Sequence, residues 1–98
     1  MFYTDYPKIP TLQSDAFNSA TEGDDISFVC STQSDDVIKY QLWLGSNMLL
    51  EALSSNTIET YIVSDVNIDD HEGRYTCKVQ SRNGLWSSDS NILQFVCT

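Results

Sequence analysis

No stretch of helical length in this sequence carries a 3.6-residue apolar period, while short runs with a period of two recur from end to end. Residues 25–30 alternate, with Ile26, Phe28 and Cys30 on one face. A second run covers residues 37–44, and the turn residues Gly45, Ser46 and Asn47 follow it. Residues 48–50 make a short third strand and residues 60–63 a fourth, from which Val66 and Ile68 lead to a turn at Asp69 and Asp70. Residues 74–80 make a fifth strand, and Arg82, Asn83 and Gly84 then suit a hairpin turn, because Asn-Gly tolerates positive φ. Residues 90–96 close the chain as a last strand. Residues 9–16, opened by Pro7 and Pro10, fit an edge strand, where a proline removes no ladder bond from a neighbour. Short strands at close spacing with turn residues between them make an all-β sandwich or barrel.

At 98 residues the chain is one domain, small enough for a covalent staple to matter. It reads as a piece of a longer protein: residues 1–6 are expected to be a tail or leader, 7–96 the domain, and 97–98 the start of a linker to a following domain. Met1 is followed at once by Phe2, Tyr3 and Asp5, without the basic and apolar regions of a signal peptide. The formal net charge of −9 repels phosphate backbones and anionic lipid, so neither a nucleic-acid partner nor direct membrane insertion is expected. The acidic pairs Asp24-Asp25, Asp35-Asp36 and Asp69-Asp70 read as solvated turn residues, with a calcium site as the rival reading. There is one histidine, His71, and neither a G-x-S-x-G nor an HExxH element. No catalytic residue, metal or cofactor is therefore expected, and the chain is not read as an enzyme.

The stretch Asp70-His71-Glu72-Gly73-Arg74-Tyr75-Thr76-Cys77 resembles the signature of the immunoglobulin superfamily, an acidic residue, a glycine and then Tyr-x-Cys. The resemblance extends over roughly residues 7–96. It implies an antiparallel β-sandwich of two sheets, about seven or eight strands with Greek-key connections, and a disulfide between Cys30 and Cys77 across the sheets. It also implies that Tyr75 points inward and hydrogen-bonds back to the preceding turn. Two departures stand out. The family's aspartate position holds His71, and no arginine or lysine lies between Lys39 and Arg74, so the family's ion pair at this corner is not expected. From Trp43 to Cys77 is 34 residues, too short for the extra hairpin of a variable-type domain, so the chain resembles the C2 or I set, with strands A, B and E against C, C′, F and G. The segment from Tyr40 to Gly45 is similar to strand C of Fc-receptor-like and platelet-endothelial-adhesion-type receptor domains.

Strand C offers two inward faces. If Trp43 is inward, so are Gln41 and Lys39; if Leu42 is inward, so are Tyr40 and Ile38. The second face is far more apolar, so Leu42 is expected in the core with Tyr75, and Trp43 outside. An outward Trp43 would have Gln41, Thr76, Lys78 and Gln80 as neighbours; the alternative packs it beside Met48 and Leu50. Trp86, after the turn bearing Arg82, either makes a contact at the loop tip or plugs the end of the sandwich. Trp43, Lys78, Gln80, Arg82 and Trp86 are the candidate binding residues. Cys97, the odd cysteine, either pairs outside the domain or stays a buried thiol. The reading implied by the resemblance is a protein-binding module of a multidomain cell-surface immune-type receptor, on the extracellular side of the plasma membrane or secreted. The second is a structural spacer or homophilic adhesion domain in a tandem array. An intracellular muscle-type I-set domain is a third, opposed by cysteines placed for a disulfide.

Overall fold

The computed structural model describes residues 6–15 and 19–98. Strand alternation places Ile26, Phe28 and Cys30 of β3 (Ile26–Ser31) on one buried face, and Tyr75, Cys77, Val79 and Ser81 of β7 (Gly73–Ser81) on another. Burying both faces requires two sheets face to face. The first has the order β1-β3-β6, with β1 at Thr11–Ser14 and β6 at Ile58–Val63. The second has the order β2-β8-β7-β4-β5, with β2 at Ser19–Ala20, β4 at Val37–Leu44, β5 at Asn47–Leu53 and β8 at Leu93–Cys97. Pairing is antiparallel among the described strands except between β2 and β8. The first strand therefore divides, β1 running along β3 and β2 along β8 in the opposite sheet. The edge strand expected over residues 9–16 is β1, shorter at Thr11–Ser14; residue 16 lies outside the described residues, and β2 adds a pairing that was not expected.

Leu12, Phe28, Tyr40, Leu42, Tyr75, Val79 and Phe95 fill the space between the sheets. The Cys30–Cys77 disulfide crosses it, both residues having no exposed surface. Leu42 is likewise fully buried beside Tyr40, so the Leu42 face of β4 turns inward. The Tyr75 ring stacks on Phe28 at 4.2 Å between centroids and meets Phe95 edge-on at 6.2 Å. Its hydroxyl donates to the His71 carbonyl at 2.6 Å, closing the corner.

The corner holds without the family's ion pair. A one-turn helix, α1 (Ile68–His71), is capped by Asn67, whose Oδ1 accepts from the Asp70 N–H. The His71 ring takes part too: its Nδ1 accepts from the Asn67 N–H at 2.9 Å. Hydrogen bonds of Asn67 and His71 thus close this corner locally. Gly73 follows with φ +146, a backbone conformation that favours glycine, and a Cβ there would also push the Leu44 side chain aside, its Cδ1 lying 2.9 Å away.

Three expectations need adjustment. The last strand begins at Leu93 rather than residue 90 and runs to Cys97. Residues 97 and 98, expected to open a linker, belong to the sandwich: Cys97 pairs with Ala20 and is buried, and the Thr98 N–H donates to the Ala20 carbonyl. The turn after β7 places only Gly84 at positive φ; Asn83 contributes its Oδ1, which accepts from the Leu85 N–H.

Burial pushes the Tyr75 phenol up to about 12. Burial, with the Glu59 carboxylate adding, does the same to Tyr40, also to about 12. Burial raises Tyr61 too, reinforced by Glu59 and Tyr40. A folded-state value above the unfolded one means that the fold holds the proton. The stability this contributes is whole below about pH 10 and is lost as pH rises through about 12. Urea titration should show a midpoint that is flat around neutral pH and falls steeply above about pH 10. Tyr40→Phe should remove about 2 kcal/mol of that alkaline loss. An unchanged alkaline slope in the variant would contradict this.

Candidate binding face

On β4 the residues opposite the core are Lys39, Gln41 and Trp43; on β7 they are Arg74, Thr76, Lys78 and Gln80. Cross-strand register sets them in rows. Met48, Trp43 and Thr76 form one row, Glu51, Gln41 and Lys78 the next, and Leu53, Lys39 and Gln80 the third. An isolated bridge between Gln80 and Trp86 extends the third row.

Two serines hold the segment that follows the bridge. Residues 87–92 run beside β7 without forming a regular strand. Ser87 and Ser90 each donate a backbone N–H, to the Val79 and Cys77 carbonyls, at 2.8 and 2.9 Å. Their hydroxyls accept in return from the N–H groups of Val79 and Cys77, at 3.0 and 2.9 Å. Side-chain oxygens thus replace the missing ladder carbonyls, and both serines are buried. The segment lies close against β7, with Trp86 beside Gln80.

Trp43 and Trp86 are both half-buried, and Lys78 lies against each. Its Nζ is 4.8 Å from the centroid of the Trp43 ring and 5.8 Å from that of Trp86, within cation–π range of both. The Trp43 ring is also held at its edge: its Nε1–H donates to Gln41 Oε1 at 3.0 Å, and Gln41 Nε2 donates to Glu51 Oε2 at 2.6 Å. Lys39 Nζ stands 3.8 Å from Glu51 Oε1. Gln41 faces outward yet is only 8% exposed, because its neighbours cover it and its amide is bonded at both ends. Gln80 donates to the Gly84 carbonyl at 3.0 Å, tying the face to the turn.

Of the candidate binding residues, Trp43, Lys78, Gln80 and Trp86 therefore share one face. Arg82 lies beyond the end of β7, exposed; its backbone N–H donates to the Asp36 carbonyl at 2.8 Å, and among the described residues no side-chain contact links it to the indoles. Gln41 was expected only as a neighbour of Trp43, and Glu51 was not expected at all; together they orient the indole. The polar pattern of β4 was visible, but that Gln41 would bridge an indole and a carboxylate on β5 depends on cross-strand register. Among the described residues no group of three His, Cys, Asp or Glu side chains is placed to hold a metal ion.

A three-stranded sheet packed on a five-stranded one, a tyrosine corner and a disulfide through the core define an immunoglobulin-type sandwich. The profile of the immunoglobulin domain family matches residues 9–95, and the chain belongs to that family. No curated protein matches it in sequence. Among solved structures it is similar to CHIR-AB1, with a TM-score of 0.80 and 20% identity, covering 92% of this chain and 98% of that one. The human OSCAR ligand-binding domain superposes with a TM-score of 0.84 at 20% identity over 96% of this chain, which spans 52% of the OSCAR chain. The sulfur carrier protein SoxY from Chlorobium limicola f thiosulfatophilum is more distant, with a TM-score of 0.64 and 12% identity over 96% of this chain and 86% of its own. At these identities the likeness is one of fold. No helix among the described residues is long and apolar enough to cross a membrane.

Proposed function

We propose that this domain is the extracellular protein-binding module of a multidomain cell-surface immune-type receptor, and that it binds through the outer face of β5, β4 and β7. The observation that carries the reading is the pair of half-buried indoles, Trp43 and Trp86, against which Lys78 lies. Tryptophans held in place by neighbouring groups bury a large area at small entropic cost, which is how hot spots work. The disulfide favours an oxidising compartment. The fold likeness to a domain named for ligand binding, and the similarity of residues 40–45 to Fc-receptor-like strand C, favour an immune-type receptor.

Trp43→Ala and Trp86→Ala should each weaken binding to a partner-bearing cell by more than about 2 kcal/mol, roughly 30-fold, while melting stays cooperative. Titration of cells with multimerised domain measures this. Full binding by both well-folded variants would remove the face from consideration.

The second reading, a structural spacer or homophilic adhesion domain, is favoured by a different surface. The outer face of β3 and β6 exposes Ile58 at 56% and Ile62 at 66% in a sheet that ends at β6. Such an edge suits a neighbouring domain or a second copy.

A further inference from the structure

The protein carries net charge −9 with only five lysines and arginines, yet Lys39, Arg74 and Lys78 share the outer face of β4 and β7, and Arg82 follows β7 directly. The carboxylate in those rows, Glu51, is already engaged by Lys39 and Gln41. Lys78 contacts two ring faces, but among the described residues no carboxylate or other acceptor meets its ammonium. The rings stabilise the charge without accepting its three N–H bonds in line.

This arrangement constrains what can cover the indoles. An apolar partner surface laid over Trp43 and Trp86 would strip water from the Lys78 ammonium and leave its donors unpaired, which costs more than the apolar contact gains. A partner with a basic residue at that point is repelled by Lys78 and by Lys39 nearby. A carboxylate satisfies both conditions, and apolar groups flanking it can lie on the two rings.

Resting on the binding face proposed above, we infer that the partner is a protein segment that sets an aspartate or glutamate carboxylate against Lys78, flanked by apolar side chains that pack on Trp43 and Trp86. Lys78 is the specificity-determining residue, and Gln41 and Glu51 position the Trp43 ring.

The test pans a phage library of random dodecapeptides against the immobilised domain and measures selected peptides on four variants, Lys78→Met, Lys78→Arg, Trp43→Ala and Trp86→Ala. Methionine keeps the length and the contact with the rings while removing the charge. The expected result is enrichment of peptides with Asp or Glu beside apolar residues. Their affinity should fall about tenfold or more with Lys78→Met, and equally when the peptide Glu becomes Gln, while Lys78→Arg retains the acidic preference. Peptides that need both tryptophans but tolerate Lys78→Met and the Gln exchange would overturn this inference and leave the binding face standing. Selected peptides indifferent to all three residues, or no peptide dependent on Lys78, would also overturn it; indifference to the tryptophans as well would count against the face itself. Binding of sialyllactose through Lys78 with no acidic peptide selected would overturn the assignment to a protein segment.

Discussion

Reduction of the Cys30–Cys77 bond should cost this domain about 4 kcal/mol. The bond joins residues 47 apart in sequence, so it removes a long loop's worth of freedom from the unfolded chain. A domain of this size is stable by only about 5–15 kcal/mol in total, and the loss is a large share of it. Urea melts with and without reductant measure it; a change below about 1 kcal/mol would contradict the role given to the bond. Intact mass after alkylation adds a second readout. Burial raises the Cys97 thiol, and the carboxylates of Glu22, Glu72 and Asp24 raise it further, so little thiolate is available near neutral pH. The native protein should therefore label slowly, and the unfolded, unreduced protein should take one label.

Tyr75→Ala should be nearly as damaging, at about 3–5 kcal/mol. The ring is fully buried, stacked on Phe28 and edge-on to Phe95, so its removal leaves a cavity at the centre of the cluster. Tyr75→Phe keeps both ring contacts and loses only the hydrogen bond to the His71 carbonyl. That should cost on the order of 1 kcal/mol. Equilibrium unfolding of the two variants separates packing from the corner bond. Equal losses would mean that the hydrogen bond, not the ring, carries the energy.

Much of the fold was legible because it is written in hydropathy and spacing. The inward faces of β3 and β7 follow from period-two alternation, and the choice of Leu42 over Trp43 follows from the relative cost of burying Gln41 and Lys39. Features made by polar side chains acting on backbone were not legible. Ser87 and Ser90 substitute for a strand through their hydroxyls, and serines in a loop give no periodic signal. The division of the first strand between sheets depends on which edge each half meets, and two residues of β2 carry no pattern. At the candidate face, the outward positions were readable from alternation, but the approach of Lys78 to Trp86 was not. It needs the register that places Gln80 opposite Trp86. Gln41 shows the limit of the argument from polarity: it faces outward and is nevertheless buried, because Glu51 and Trp43 satisfy its amide.

Site-specific photocrosslinking identifies the face that meets the partner. A benzophenone side chain would be placed at Met48, which pairs with Trp43 in the proposed face, or at Thr60, exposed on the outer side of β6. Irradiation on partner-bearing cells should yield a covalent adduct from position 48 and none from position 60. An adduct from position 60 alone would rule out the β5-β4-β7 face and assign contact to the three-stranded sheet.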